Sequence, residues 1–276
     1  MTQAHSDSVA ILGVGNLGLA LARGLVHSGY VPADHVRLTR RNVDLLAQEA
    51  AAGHPVGSDN PAAVEASEII VLAVQPQQLD DLLDEIREAL DPTRHLIIST
   101  VSGASFDSIR NRVGEGVPVV RAMPNLGIQT GDSMTCLAAE GTAAGVALAR
   151  AERLFQALGT TVRIEESQMA AATALCACGI AFFLRAIRAA AQGGIEIGFH
   201  AEDAILMAAQ TAKGAAELLL ASGDHPEMAI DRVTTPNGCT IAGLNEMENR
   251  GFSSAMIRGI VTSSVRAAHL YSEPDA

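Results

Sequence analysis

Lysine and aromatic residues are scarce in this sequence. The 276 residues include a single lysine, Lys213, no tryptophan and only 3% aromatic side chains. One lysine leaves little scope for Schiff-base catalysis, which needs a lysine amine at the site. With 48% hydrophobic and 18% charged residues, a folded protein is expected. Because aromatics are few, its core must be built from Ala, Leu, Ile and Val.

Positive charge is also in deficit, since the formal net charge is −12. Nucleic-acid binding is therefore not expected, because phosphate contacts need clustered Lys and Arg. The four cysteines have no zinc-site spacing: Cys176 and Cys178 are two apart, and Cys136 and Cys239 stand alone. We therefore expect no metal site and no disulfide framework, only reduced thiols.

Long hydrophobic runs are absent as well. A polar start, MTQAHSDS, is unlike a secretory signal. The longest weakly polar stretch, residues 169–184, has 16 residues, fewer than the roughly 18–20 that span a bilayer. The sequence thus predicts a cytoplasmic protein without membrane contact.

The first half of the chain alternates short apolar runs with helical patterns. Predicted strands cover residues 9–15, 35–40, 68–74, 95–103 and 117–125. Predicted helices cover residues 16–28, 42–53 and 79–90. This alternation is typical of a doubly wound parallel sheet, so an α/β Rossmann domain is predicted for residues 1–165.

The second half, residues 166–276, reads as helices alone. One long helix is predicted over residues 167–194, ending at a glycine pair, and others over 201–222 and 252–271. These helices are apolar nearly all round, and a helix of that kind must be buried. Because the chain offers little to bury them in, we expect an all-α domain that dimerises.

A glycine-rich turn follows the first predicted strand and opens the first helix. Its sequence, GVGNLG, matches the GxGxxG pattern of dinucleotide-binding folds. Gly13 permits the turn, Gly15 lets a pyrophosphate approach, and Gly18 allows close packing of the helix. The predicted cofactor contacts here are Gly13, Val14, Gly15, Asn16, Leu17 and Gly18. The alternative is a plain strand-to-helix turn.

The end of the second predicted strand bears on the choice of cofactor. NAD-binding proteins usually place an acidic residue there, whereas this chain has Thr39, Arg40 and Arg41. Two guanidinium groups and a hydroxyl suit a 2′-phosphate, which favours NADPH over NADH. The alternative is that the arginines are a solvated surface pair.

Near the C-terminus, residues 231–252 read DRVTTPNGCTIAGLNEMENRGF. This run resembles the signature D-x-V-T-S-P-G-G-T-T-I-A-x-L-x-x-L-E-x-x-G-F of the pyrroline-5-carboxylate reductase family. AVQP at 73–76 and RAMPN at 121–125 resemble the family's A-V-K-P and R-x-M-P-N. The sequence departs from the family at CACGIAF (176–182), where S-G-S-G-P-A-Y is usual, at Gln75 for a lysine, and at Gly127 for a proline.

The resemblance implies NADPH-dependent reduction of 1-pyrroline-5-carboxylate to L-proline, the last step of proline biosynthesis. It also implies homodimers with interlaced C-terminal helices, and their assembly into decamers. We expect the loop at residues 234–240 to face the nucleotide domain of the partner chain. Further cofactor contacts are expected from Asn60, Ala73, Val74, Gln75, Pro76, Thr100, Ser102 and Arg232.

The loop at 234–240 is the predicted substrate site. Pro236 and Gly238 shape a turn that exposes the first N–H groups of a helix to a carboxylate. Thr240 aligns with the family threonine that hydrogen-bonds the substrate nitrogen, and is the predicted catalytic residue. The predicted substrate contacts are Glu166, Thr234, Thr235, Asn237, Gly238, Cys239 and Thr240.

Simpler interpretations of these residues stay open. Thr240 is also typical of a helix cap, and Glu166 of an acid that favours a helix N-terminus. Cys176 and Cys178 suit small packing residues better than a redox pair.

Other functions also stay open. Because of the departures, a different cyclic imine acid, such as a piperideine carboxylate, is an alternative substrate, and a non-catalytic nucleotide-binding protein is a further alternative. A hydroxyacid dehydrogenase is disfavoured, because the helix at 167–192 has no lysine.

Overall fold

The computed structural model describes residues 7–141 and 144–271. The chain divides into two compact units: the first runs to Cys178 and resumes at Thr262, and the second is Gly179–Val261. The division falls inside the helical region, whereas the sequence predicts a domain boundary after residue 165. That boundary stays a prediction.

The first unit is built on an eight-stranded sheet within the described residues. Its strands are β1 Val9–Leu12, β2 Val36–Thr39, β3 Val56–Gly57, β4 Ile69–Leu72, β5 Leu96–Ser99, β6 Val119–Met123, β7 Ser133–Ala139 and β8 Gly159–Arg163. Their spatial order is β3-β2-β1-β4-β5-β6-β7-β8. The first six strands follow the order of a dinucleotide-binding Rossmann sheet, so the predicted fold class is confirmed.

One edge of the sheet departs from the prediction of parallel strands. β7 pairs antiparallel with β6, and β8 then pairs parallel with β7. Neither strand was predicted. β7 reads SMTCLAA, a run with little of the β-branched and aromatic content that marks a strand. β8 is an edge strand with mostly exposed residues, so it lacks an apolar pattern too.

Helices cover both faces of this sheet. They are α1 Asn16–His27, α2 Ala47–Ala51, α3 Asn60–Glu65, α4 Leu79–Ile86, α5 Phe106–Val113 and α6 Ala144–Gln156. One core cluster packs α1 and α6 against one face of the sheet. The other packs α3, α4 and α5 against the opposite face. The central strands β1 and β4 are buried throughout, as a sheet covered on both faces requires.

The long predicted helix is interrupted. After α7 (Met169–Ala172) comes a π-helical turn, Thr173–Ala177, and then α8 (Gly179–Glu196). In the turn, the Cys178 N–H donates to the Thr173 carbonyl at 2.9 Å, an i→i+5 bond. The predicted end at the glycine pair was wrong, because α8 runs through it to Glu196. The unusual segment CACGIAF spans the end of this turn and the start of α8.

The second unit is entirely helical within its described residues. Its helices are α8, α9 (Ala201–Ser222), α10 (Pro226–Arg232), α11 (Cys239–Asn249) and most of α12 (Phe252–Ala267). The bounds of α9 are those predicted, whereas α12 ends at Ala267 rather than at residue 271.

Large apolar side chains of this unit are exposed. They include Phe183 62%, Leu184 60%, Ile197 77%, Leu206 68%, Leu218 67% and Leu220 85%. Large exposed apolar side chains in such number are typical of an interaction site.

By length and composition alone, two helical segments are able to cross a membrane: Glu166–Glu196, with 31 residues, and Ala201–Ser222, with 22. The sequence-based estimate of a 16-residue apolar stretch was too short, because the helix continues past Arg185 and Arg188. Core and interface helices of soluble proteins pass the same test of length and composition.

Both tyrosines lie in the first unit and donate to aspartates. The Tyr30 hydroxyl donates to Asp7 Oδ2 at 3.0 Å, and the Tyr271 hydroxyl donates to Asp80 Oδ1 at 2.7 Å. Arg112 donates to the other oxygen of Asp80 at 2.8 Å. Burial, with the nearby charge of Asp7, raises the pKa of Tyr30 far above its usual range. The hydrogen bond between Tyr271 and Asp80 connects the segment that follows α12 to α4.

Phe155 tests the packing of α6 on the sheet. Its side chain is 0% exposed, so Phe155→Ala removes buried surface and leaves a cavity, at a cost of about 3–5 kcal/mol. We expect the free energy of unfolding, measured by urea titration with circular dichroism, to fall by that amount. Leu45→Ala is the control, because Leu45 is 55% exposed. Equal effects of the two variants would contradict this packing.

Candidate functional site

The turn after β1 brings three loops together. Gly13 has φ +77°, a conformation that favours glycine. A Cβ atom there would lie 2.1 Å from Val74 Cγ1, in the loop after β4. The N–H groups of Gly13 and Val14 donate to the Thr39 carbonyl at 3.1 and 2.9 Å. Gly13 thus permits the close approach of the loops that follow β1, β2 and β4.

The start of α1 fits a pyrophosphate group. Gly15 is the N-cap residue and makes no side-chain capping bond, and a Cβ atom on it would have nothing within 4 Å. A Cβ atom on Gly18 would lie 3.3 Å from Ile11 Cγ2, so Gly18 allows α1 to pack closely on β1. Open space beside uncapped helix N–H groups is what an anionic ligand needs.

The ends of β2 and α3 are joined by a short polar chain. The buried Thr39 hydroxyl donates to Asn60 Oδ1 at 2.6 Å, and Asn60 Nδ2 donates to Glu85 at 2.9 Å. Arg40 is partly exposed and Arg41 exposed. Neither arginine forms an ion pair with any residue in the described ranges, so both are available to a phosphate. Two predicted cofactor residues, Thr39 and Asn60, are therefore neighbours.

The loops after β4 and β5 hold the other predicted cofactor residues of this unit. The Thr100 hydroxyl donates to the Leu72 carbonyl at 2.8 Å, so toward a ligand this hydroxyl acts as an acceptor. Ser102 is partly exposed in the next turn. A Cβ atom on Gly103, which has φ +87°, would lie 2.7 Å from the Tyr271 backbone nitrogen. The segment after α12 thus supports the loop that carries Ser102.

The other predicted residues of these loops are Ala73, Val74, Gln75 and Pro76. The Ala73 N–H donates to the Leu12 carbonyl at 2.9 Å, which joins this loop to the end of β1. Gln75 is exposed, and its backbone N–H lies 3.4 Å from Gln78 Oε1. In the first unit, the structure therefore places the predicted cofactor residues at the carboxyl ends of β1, β2, β4 and β5.

Glu166 takes part in a buried ion pair that sequence reasoning missed. Its Oε1 accepts from Arg121 at 2.9 Å and from the Phe106 backbone N–H at 2.7 Å. Arg121 lies on β6 with its side chain 7% exposed. Glu166 therefore satisfies the N-terminus of α5 rather than that of its own helix. An arginine within the apolar strand pattern VPVVRAM was the available signal, since a buried charge needs a partner.

Asn125 connects β6 to the π-helical turn. Its Oδ1 accepts from the Gly127 N–H at 2.9 Å, and its Nδ2 donates to the Cys176 carbonyl at 3.2 Å. A Cβ atom on Gly127 would lie 2.7 Å from the Asp132 carbonyl oxygen. Proline, which is usual in the family here, has no N–H and would crowd the loop. Glycine at this position therefore suits the turn that this chain adopts.

In the second unit, residues 235–238 form a tight turn before α11. The Gly238 N–H donates to the Thr235 carbonyl at 2.9 Å. Asn237 has φ +59° and is the non-glycine residue with positive φ in the described chain. Asparagine tolerates this left-handed conformation better than most residues. It thereby keeps a backbone conformation that the family's glycine would adopt freely.

The helix α11 starts without a side-chain cap. Its N-cap is Gly238, which makes no capping bond, so Thr240 lies inside the first turn and the interpretation of Thr240 as a cap is wrong. In the part of the chain that the structure describes, the exposed Thr240 hydroxyl has no hydrogen-bond partner. Cys239, also exposed, is the first residue of α11. This helix start offers N–H groups and a hydroxyl to a ligand.

Two other predicted residues of the second unit have partners. The Thr234 hydroxyl donates to the Ile230 carbonyl at 2.8 Å, which closes the end of α10. Arg232 forms an ion pair with Asp224 at 2.6 Å, with its side chain 62% exposed. Thr234 thus holds the turn, and the exposed guanidinium of Arg232 is held at one side by a carboxylate.

Comparison with known proteins extends this description. Residues 166–270 match the family model for pyrroline-5-carboxylate reductase dimerisation. Residues 8–103 match the model described as NADP oxidoreductase, coenzyme F420-dependent. Pyrroline-5-carboxylate reductase 2 of Dictyostelium discoideum is 45% identical over 279 residues, covering 96% of this chain and 93% of that protein. The chain belongs to the pyrroline-5-carboxylate reductase family.

Other members of the family agree. Pyrroline-5-carboxylate reductase 1 of Dictyostelium discoideum is 54% identical over 280 residues, covering 98% of this chain. The chain spans about half the length of that relative, 51%. The structure of a pyrroline-5-carboxylate reductase from Coxiella burnetii aligns with a TM-score of 0.88 and 26% identity, covering 98% of this chain and 100% of that one.

Family membership accounts for the apolar surface of the second unit. The helices that expose large apolar side chains lie within the region that matches the dimerisation model, which supports oligomerisation. The family prediction is confirmed, as is the prediction of a nicotinamide-dependent oxidoreductase. Membership does not assign the individual site residues, which stay predictions.

Gly13→Ala tests the role of the glycine-rich turn, residues 13–18, in dinucleotide binding. The variant places a Cβ atom 2.1 Å from Val74 Cγ1, so the loops must separate and we expect dinucleotide affinity to fall at least tenfold. The matched control is Gly29→Ala: Gly29 also has positive φ, +72°, but a Cβ atom there meets nothing within 4 Å. Titration of NADPH by fluorescence measures both. Equal losses would mean that backbone strain, and not loop separation, weakens binding.

Proposed function

We propose that this chain reduces 1-pyrroline-5-carboxylate to L-proline with NADPH, as the last step of proline biosynthesis. The observation that carries the proposal is the uncapped start of α11, with the free hydroxyl of Thr240 in its first turn. The family relatives are named for this activity. Reduction of a cyclic imine acid needs a bound hydride donor, an anchored carboxylate and a polar group at the nitrogen.

The first unit holds the cofactor in this proposal. When bound, NADPH supplies the hydride that the imine carbon accepts. The uncapped N–H groups of α1 and the space beside Gly15 receive the pyrophosphate. Arg40 and Arg41 pair with the 2′-phosphate, since guanidinium groups bind phosphate through charge-assisted hydrogen bonds. Thr39 and Asn60, already joined to one another, complete this end of the site.

The second unit anchors the substrate. The turn at 235–238 presents the N–H groups of Cys239 and Thr240, and a helix N-terminus favours an anion. The substrate carboxylate binds there without a lysine or arginine, which agrees with the lack of acidic residues in the first turn of α11.

Thr240 acts at the substrate nitrogen. Its hydroxyl hydrogen-bonds the imine nitrogen and orients the ring, and the protonated imine accepts hydride far better than the neutral one. No strong general acid lies among the predicted site residues. Positioning therefore contributes most of the protein's part in lowering the barrier.

In the assembly that we propose, the helices of the second unit interlace with those of a partner chain. The loop at 234–240 then completes the site with the partner's nucleotide domain, and dimers assemble further into decamers. The exposed apolar side chains of α8 and α9 support burial between chains. A cytoplasmic location stays a prediction.

The departures from the family pattern do not favour another substrate. Asn237 keeps the left-handed conformation that the turn requires, and Thr240 is retained. Gly127 belongs to a turn of the first unit, where a Cβ atom would meet Asp132 and Asn125. A different cyclic imine acid and a non-catalytic role stay as outcomes that the following experiments detect.

Thr240 is tested by substitution. Thr240→Ala removes a hydrogen bond to a charged group, worth about 1.5–3 kcal/mol, so kcat/KM for 1-pyrroline-5-carboxylate should fall roughly 10- to 100-fold with NADPH affinity unchanged. Thr240→Ser should restore most of the activity, and Thr160→Ala, on the exposed edge strand β8 of the first unit, should have no effect. Assays of NADPH oxidation with a piperideine carboxylate in parallel identify the preferred ring. NADPH binding without turnover of either ring would overturn the proposal.

Arg40 and Arg41 are tested by cofactor preference. Replacing both with alanine removes the proposed phosphate contacts, so the KM for NADPH should rise at least tenfold while the KM for NADH stays the same. Arg87→Ala is the control, because Arg87 is an exposed arginine with a distant partner, Glu88 at 4.0 Å. If neither KM changes, the pair is a solvated surface feature, and if both KM values rise equally, the arginines do not recognise the 2′-phosphate.

A further inference from the structure

Two cysteines that stand 40 residues apart in the sequence meet in the structure. Cys136 Sγ lies 3.8 Å from Cys176 Sγ. Cys136 is on β7 and Cys176 is in the π-helical turn before α8. The sequence-based expectation that Cys136 stands alone was therefore wrong, because β7 was not predicted.

The surroundings of the two thiols differ. Cys136 is 6% exposed and belongs to a core cluster, with Met123 of β6 opposite it in the sheet. Cys176 is partly exposed, and its backbone carbonyl is fixed by Asn125 Nδ2. Cys176 is therefore the more exposed of the two residues, and Cys136 lies in contact with it inside the core.

The hydrogen bond between the thiols polarises the pair. When the Cys136 S–H donates, it stabilises a thiolate at Cys176, and it lowers the pKa of Cys176. The same bond, together with burial, raises the pKa of Cys136. A thiolate is the nucleophilic form of cysteine. Cys176 is therefore the attacking cysteine, and Cys136 is the resolving cysteine.

We propose that Cys136 and Cys176 form a reversible, peroxide-sensitive dithiol pair. The Cys176 thiolate attacks one oxygen of a hydroperoxide, which yields a sulfenic acid and releases hydroxide, or alkoxide from an organic peroxide. The Cys136 sulfur then attacks the Cys176 sulfur, and water leaves as the disulfide forms. Two thiols are oxidised by two electrons and the peroxide O–O bond is reduced. A small dithiol reverses the reaction by exchange.

The proposal rests on the position of the sulfur atoms and is independent of the substrate assignment. Disulfide formation requires the sulfur atoms to close from 3.8 Å to about 2.05 Å. Cys178 and Cys239 provide internal comparisons, because both are free cysteines in the same chain and the structure records no sulfur neighbour for them among its described residues.

The experiment uses the intact protein, fully reduced and then treated with one equivalent of hydrogen peroxide. Thiols are counted under denaturing conditions, and tryptic fragments are mapped by mass spectrometry. We expect two fewer free thiols and a link between the fragments 122–150 and 164–185. The second fragment holds both Cys176 and Cys178, so Cys178→Ser is mapped alongside. Dithiothreitol should restore the original count.

Variants separate this pair from general oxidation. Cys136→Ser should form no link and should instead accumulate a sulfenic acid at Cys176 that dimedone traps. Cys239→Ser should form the same link between Cys136 and Cys176 and lose the same two thiols on treatment with peroxide. The proposal fails if the link uses Cys178 or Cys239, if it joins two chains, or if peroxide at this ratio removes no thiols from the unmodified protein. The free thiols are counted on the unmodified protein. The proposal is therefore tested even if a variant folds poorly.

Discussion

The ion pair between Arg121 and Glu166 is the contact on which the arrangement of the first unit depends most. It joins β6 to the start of the helical region, and the same carboxylate oxygen holds the N-terminus of α5. Loss of one partner from such a buried pair typically costs about 3–5 kcal/mol, because a desolvated charge is left behind. The loop with Thr100 and Ser102 leads directly into α5, so its geometry depends on this pair as well.

The geometry of the glycine-rich turn at residues 13–18 was predictable from the sequence. The steric reason for glycine at Gly13 and Gly18 can be stated without knowing the rest of the fold. Gly13 is required where the chain turns against Val74, and Gly18 where a helix meets a strand. The helix α9 was likewise predictable to the residue, because a histidine and a glycine bound an unbroken helical pattern. Local sequence patterns were sufficient to predict these elements, because residues close along the chain determine their structure.

Other features depend on neighbours that are distant along the chain. β7 and β8 lack a clear apolar pattern, and only pairing makes them strands: β7 pairs with β6, and β8 pairs with β7. The π-helical turn at Thr173–Ala177 has no signature in its composition, since its residues suit an α-helix equally well. The contact between Cys136 and Cys176 was not predicted either, because one residue lies on β7 and the other in the π-helical turn. In the site, the same limit applies to Arg121, whose partner lies 45 residues further on.

The position of the tyrosines has an optical consequence. Without tryptophan, near-ultraviolet emission of this chain comes from its two tyrosines, and both belong to the first unit. Each hydroxyl is held by an aspartate, Tyr30 by Asp7 and Tyr271 by Asp80. The second unit is therefore silent in tyrosine fluorescence. A change in that signal therefore reports on the surroundings of Tyr30 and Tyr271, two residues of the first unit.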